Sequence, residues 1–270
     1  MDFNFSEEQI VRMYGYGGEI VDKYMSYKSS VNRNDFELLY GHVGFPIYSD
    51  FDPADSSFLT FLRDPVERVI SHYYWVKNSG SHPDRNKPEI ISSIDSYLTS
   101  GNKELDNGQI RMIIGDHDSA VGEIGKAEFK IALRTIEERY PVVGIMELFE
   151  QSLAVISKLH NLKIPPFKSK NVGSKLDDIS ETTYASIREI NQWDYKLYEY
   201  CNERLRSTFE MDSLGLLEKV EGIYRRNIES LLKENRSLKE DLTSVCNSRT
   251  WKLATLLSGL IRKGMLTKLF

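Results

Sequence analysis

The stretch from Phe58 to Trp75 constrains the fold of this chain more than any other. Phe58-Leu59-Thr60-Phe61-Leu62 is an apolar run of strand length. Pro65, three residues on, cannot continue a β-ladder but suits the first turn of a helix. Asp64 stands where that helix needs an N-cap oxygen. The segment therefore predicts a short buried strand, a tight turn and an amphipathic helix. Arg63 closes the strand at its carboxyl end, the edge at which open α/β sheets bind ligands. Ser71 lies about two helical turns further on, at ~1.5 Å of rise per residue. A planar guanidinium and a hydroxyl so placed have the geometry of a phosphate clamp.

The rest of the chain supplies the setting. Lys126 to Arg139 reads as an amphipathic helix, Tyr140 to Ile145 as a buried strand and Leu148 to Leu159 as a helix. Strand–helix alternation of this kind predicts an α/β domain with a parallel sheet. Leu38 to Val43 reads as a short strand. The segment before it reads as polar and helical, with Ser6 and Gln9 forming a capping box. Residues 79–89 form a polar Pro/Gly loop suited to a surface or substrate loop. Helices are expected at Ile90–Thr99, at Asn107–Ile114, at 180–190 and at 191–208, closing a domain over 1–212.

Beyond Leu214 the pattern changes. Tyr224, Ile228, Leu231, Asn235, Leu238, Leu242 and Val245 alternate in steps of four and three, a heptad seam with Asn235 at a core position. A helix over 213–248 bearing this seam either pairs with a second copy, making the chain a homo-oligomer through 217–245, or packs back on its own domain. Residues 249–270 are basic and amphipathic, a pattern that fits peripheral contact with a membrane surface or with a partner.

The net charge of −5 argues against general nucleic-acid binding and leaves room for a local basic pocket. Cys201 and Cys246 lack metal-ligand spacing and read as packing or surface thiols. With no run of 18 apolar residues and no leader-like start, the expected location is cytoplasmic, at most peripheral at the membrane. Of five histidines, His42 is the best-placed base, between Gly41 and Gly44, which permit close approach of a substrate. His72, beside Ser71, is the reserve. His117, in Gly115-Asp116-His117-Asp118, reads as part of a solvated turn, and no metal site is expected.

Four segments occur in one order: Tyr40-Gly41-His42-Val43, the Arg63-Asp64-Pro65 strand and helix with Arg68, Ser71, Tyr73 and Tyr74, Asp106-Asn107-Gly108-Gln109-Ile110-Arg111-Met112-Ile113-Ile114-Gly115, and Tyr140 to Leu153. Together they resemble the carbohydrate sulfotransferases that use 3′-phosphoadenylyl sulfate (PAPS), in the branch that includes heparan sulfate 2-O-sulfotransferase. The resemblance spans roughly residues 35–210. It implies a P-loop NTPase-like fold and transfer of a sulfuryl group from PAPS to a hydroxyl of a carbohydrate acceptor. It further implies that His42 is the general base, that Arg63 and Ser71 bind the 3′-phosphate, and that Gln109 and Arg111 line the acceptor side. The basic loop Lys168 to Lys175 falls where the family has a late nucleotide-binding loop, which would make Lys170 and Asn171 nucleotide contacts.

One departure stands out. The family begins with a strand feeding a Pro-Lys-x-Gly-Ser/Thr loop that cradles the 5′-phosphosulfate. No such run precedes Arg63; the glycine cluster Tyr14-Gly15-Tyr16-Gly17-Gly18 lacks the lysine and the hydroxyl, and no strand is expected before it. Two expectations follow: a sulfotransferase shortened at its N-terminus, or a catalytically impaired relative acting as a coiled-coil scaffold in surface-polysaccharide assembly.

Overall fold

The computed structural model describes residues 10–13, 38–41, 56–78, 83–116, 118–167 and 179–248. It is an α/β protein in which helices predominate. Strand β1 (Ile10–Met13) pairs in parallel with β2 (Leu38–Gly41), and β3 (Leu59–Leu62) in parallel with β4 (Val142–Ile145). The chain divides into two compact units, one of residues 1–165 with 169–220 and one of 166–168 with 221–270.

β1 corrects the expectation of a helix through the N-terminal segment. The β-branched pair Ile10-Val11 favours an extended ladder over a helical turn, and the strand runs up to the glycine cluster at Tyr14. Ser6 and its capping box lie outside the described residues.

β3 is followed at once by α1 (Pro65–Asn78), as the proline and its cap dictate. Asp64 Oδ1 accepts from the backbone N–H of Val66 at 2.9 Å and of Glu67 at 3.0 Å, satisfying donors that a helix start leaves orphaned. Val66, Val69, Ile70, Tyr73 and Val76 recur at three- and four-residue steps and are buried. They share one core with Ile94, Tyr97, Leu105 and Ile187.

Two short helices, α2 (Pro88–Ile91) and α3 (Ile94–Leu98), replace the single helix expected from Ile90 to Thr99. The break has a local cause: Ser93 is extended and its side chain accepts from Ser96 N–H, starting a new helix. α4 (Gly108–Ile114), α5 (Lys126–Arg139) and α6 (Phe149–Leu159) fall where the sequence pattern puts them. So do α7 (Glu181–Ile190) and α8 (Gln192–Met211). β3 and β4 approach closely because Gly144 faces Phe61 in register; a Cβ at Gly144 would lie 2.5 Å from the Phe61 ring. α9 (Ser213–Asn247) is one continuous helix of 35 residues. Among the described residues no helix is long and apolar enough to cross a membrane.

Candidate functional site

The site grows from the end of β3. Arg63 N–H donates to Gln109 Oε1 and Arg63 C=O accepts from Gln109 Nε2, both at 2.9 Å. The buried amide of Gln109 thus acts as a one-residue strand partner, fixing the backbone where the strand ends. Asp64 N–H donates to Glu147 Oε1 at 3.1 Å, and Glu147 Oε2 accepts from the Tyr198 hydroxyl at 3.2 Å. Burial, with Glu147 alongside, raises the Tyr198 hydroxyl above its ordinary value, so it stays a donor at neutral pH.

With its backbone held, the Arg63 side chain projects at the surface. Its guanidinium meets Glu67 at 3.7 Å, and the two side chains are 34% and 37% exposed. Such a loose, solvent-screened pair contributes little to stability and yields readily to a better anion. Ser71 lies one turn beyond Glu67 on the same helix face. It is half-buried, and its side chain makes no hydrogen bond among the described residues. Glu67 and Ser71 therefore share one face of α1, with the Arg63 guanidinium beside Glu67 at its start.

Gln109 owes its position to an exchange of caps between two helices. Asn107, in the left-handed conformation (φ 48°), precedes α4, and Asn191 precedes α8. The Asn107 side-chain oxygen accepts from Trp193 N–H and Asp194 N–H at the start of α8, both at 3.0 Å. In return the Asp194 carboxylate accepts from Gln109 N–H at 2.9 Å and Ile110 N–H at 2.8 Å at the start of α4. Asn191 Oδ1 accepts from Asn107 N–H at 2.9 Å, and its Nδ2 donates to Leu105 C=O at 2.9 Å. Burial pushes the Asp194 carboxyl above the ordinary carboxylate range, opposed by Arg68 and the two amides.

Arg111 lies elsewhere. Its guanidinium pairs with Asp106 at 2.7 Å, with both side chains almost wholly buried. It also donates to the carbonyls of Asp106, Ser119 and Ala120 at 2.8–2.9 Å. An arginine so engaged ties the loop after α4 to the helix. Its donors face carbonyls and a carboxylate of the fold, in place of the acceptor side expected from the sequence.

The opposite flank of α1 carries Arg68 and His72. Arg68 donates to Glu104 C=O at 2.6 Å and to Glu104 Oε2 at 3.1 Å. It lies so close over Gly108 that a Cβ there would be 2.7 Å from its Nη1. His72 Nδ1 is 3.0 Å from the Tyr97 hydroxyl, which accepts from Asn102 Nδ2 at 3.2 Å. Burial raises the Tyr97 hydroxyl well above its ordinary value. The Nε2 of His72 lies 3.9 Å from the Glu104 carboxylate. Both ring nitrogens of His72 face groups of the fold, a structural placement.

The structure thus joins Gln109 to the Arg63 backbone, places Ser71 one turn beyond Glu67 on α1, and sets Arg111 in a buried pair with Asp106. His42 follows β2 directly but lies outside the described residues, as do Lys170, Asn171 and His117. Sequence reasoning missed Glu147, Asp194 and Asn191. Their partners are mostly backbone groups, up to 86 residues away, which leave no pattern in the chain. Among the described residues no group of three His, Cys, Asp or Glu side chains could hold a metal ion.

Fold and site together define an α/β protein with an arginine displayed at a strand–turn–helix junction. Comparison with known proteins narrows that class. The chain is 21% identical over 201 residues to heparan sulfate 2-O-sulfotransferase hst-2 of Caenorhabditis elegans, covering 66% of this chain and 61% of the relative. It is 21% identical over 201 residues to the uronyl 2-sulfotransferase homolog pip of Drosophila melanogaster, covering 61% and 39%. With uronyl 2-sulfotransferase of Mus musculus the identity is 22% over 210 residues, covering 68% and 51%. No model of a protein family matches. These three proteins are carbohydrate 2-O-sulfotransferases or a homolog of one, and the chain is similar to them at low identity. It spans between 39% and 61% of the length of these three relatives.

Proposed function

We propose that the chain carries a sulfotransferase domain of P-loop NTPase-like type, moving a sulfuryl group from PAPS to a hydroxyl of a carbohydrate. One observation carries the reading: Arg63, locked by its backbone through Gln109, directs its guanidinium to Glu67, one turn before Ser71 on the same face of α1. The donor set fits a phosphate, since a fork of N–H groups and one O–H match its oxygens. Glu67 is a group of the wrong charge there, and its loose pairing with Arg63 is what a phosphate would displace.

In this reading Arg63 and Ser71 hold the 3′-phosphate of the nucleotide, and Lys170 and Asn171 add contacts from their loop. Bound PAPS supplies the sulfuryl group. His42 takes the proton of the acceptor hydroxyl as its oxygen bonds to sulfur. Catalysis then rests on holding the two reactants and neutralising charge on the leaving phosphate, as in phosphoryl transfer. Gln109 is a positioning residue for Arg63, and Arg111 a structural one.

Calorimetry with adenosine 3′,5′-bisphosphate tests the reading. The purified chain is expected to bind it, and Arg63→Ala to weaken binding by roughly tenfold to a hundredfold, the worth of one charge-assisted hydrogen-bonded contact. His42→Ala is expected to leave that affinity in place and to abolish turnover with PAPS and a polysaccharide acceptor. Absence of binding by the unsubstituted chain would remove the enzymatic reading and favour a scaffold role. Equal loss of binding and turnover in His42→Ala would make His42 a structural residue.

A further inference from the structure

The second compact unit carries a surface that the sulfotransferase reading leaves unused. Ile228, Leu231, Leu238, Leu242 and Val245 lie along one line of α9, and each is between 51% and 63% exposed. Every residue from Leu231 to Val245 is exposed, so this part of the helix has no covered face. A helix of that length standing alone in water is marginal. A line of large apolar side chains along it is the kind of surface that marks an interaction site.

The charges beside the line choose the occupant. In heptad terms Ile228, Asn235 and Leu242 are a positions, and Leu231, Leu238 and Val245 are d positions. The flanking e column holds Arg225, Leu232 and Lys239, and the flanking g column holds Asn227, Glu234 and Asp241. Two parallel helices in register set the g residue of one against the e residue five positions later in its partner. That places Glu234 of each copy against Lys239 of the other. Antiparallel pairing of the same a and d layers sets e against e and g against g, which puts Glu234 against Asp241 and leaves Lys239 facing Leu232. A parallel pair also brings the two Asn235 side chains together across the seam, where their amides satisfy each other and fix register. At the N-terminal end of the seam, Asn227 Oδ1 accepts from Phe167 N–H at 2.9 Å, so that g position is occupied by the unit's own chain.

We propose that residues 228–245 of α9 form a parallel, in-register, two-stranded coiled coil with a second copy of this chain. The proposal is independent of the sulfotransferase reading.

Sedimentation equilibrium of the full chain tests it. A concentration-dependent dimer is expected, weakened roughly a hundredfold by Leu238→Glu, which buries two like charges in the seam. Because Leu238 is exposed in the single chain, this substitution leaves the fold intact, and unchanged circular dichroism is the check. Glu234→Lys and Lys239→Glu are each expected to weaken the dimer by roughly tenfold. The double reversal restores it, and mixing the two single variants yields heterodimers. A monomer at all concentrations, or a dimer indifferent to Leu238→Glu, overturns the proposal. A dimer tightened by Glu234→Lys overturns its parallel sense, since only antiparallel pairing sets Glu234 beside another acid.

Discussion

The amide of Gln109 meets both backbone groups of Arg63, whereas the Arg63 guanidinium meets the half-exposed carboxylate of Glu67 at 3.7 Å. Mutation can therefore separate stability from binding at these two residues. Gln109→Leu leaves the part-buried N–H and C=O of Arg63 without their partner and is expected to lower stability by about 1–3 kcal/mol. Arg63→Ala removes only a screened surface pair and is expected to change stability by less than about 0.5 kcal/mol. Both should weaken the nucleotide, one by displacing the arginine and one by deleting it. Denaturant unfolding beside calorimetry checks the contrast; a strongly destabilised Arg63→Ala would show that its side chain holds the fold. Arg111→Met is expected to behave as the opposite of Arg63→Ala. Stranding the buried Asp106 carboxylate costs about 3–5 kcal/mol, measurable in the same unfolding experiment. The sequence marks Gln109 and Arg111 alike, as polar residues on an apolar turn. It cannot tell them apart in role, because the groups that bind them are mostly carbonyls and amides, which every residue carries.

At the scale of elements, α4 and α8 hold each other by exchanged caps, and that exchange is what presents Gln109 to β3. Its pH dependence has a definite sign. Burial raises the folded-state carboxyl of Asp194 above the unfolded value of 3.8, so between those two values the folded chain holds more proton than the unfolded one. Its contribution to stability is present in full below the unfolded value. It declines as pH rises through the window and is at its lowest above the raised value. Asp194→Asn removes this titration and leaves one helix N–H without an acceptor. Wild type is thus expected to exceed the variant in stability by a margin that widens as pH falls towards 3.8. Urea titrations across that range check it, and a margin that narrows on acidification would reverse the assignment. Elements with a strong local signal were legible without coordinates: the proline and aspartate that open α1, the apolar run of β3 and the periodic face of α5. The break between α2 and α3 turns on one serine choosing to cap rather than continue. β1 was missed because four residues carry too little periodicity to compete with a polar, helix-favouring neighbourhood.

At the scale of the whole molecule, the chain joins one unit whose helices and strands enclose a core to another whose helix is exposed from Leu231 to Val245. The two should differ in what protects their amides. In the first unit, exchange of α1 requires opening a core in which Val69, Ile70 and Val76 have no exposure, so its protection depends on folding alone. In residues 231–245 no side chain is covered, so helical hydrogen bonds there open at almost no cost until a partner helix is added. Hydrogen exchange of the full chain at two concentrations, one well above and one well below the dimer dissociation constant, follows both at once. Peptides from β3 and α1 are expected to exchange identically at the two concentrations. Peptides from 231–245 are expected to lose protection on dilution, and in Leu238→Glu to exchange fast at both. Protection of 231–245 that ignores dilution would mean that this helix is stabilised within a single chain, and protection of α1 that tracked dilution would mean that the core of the first unit folds only on assembly.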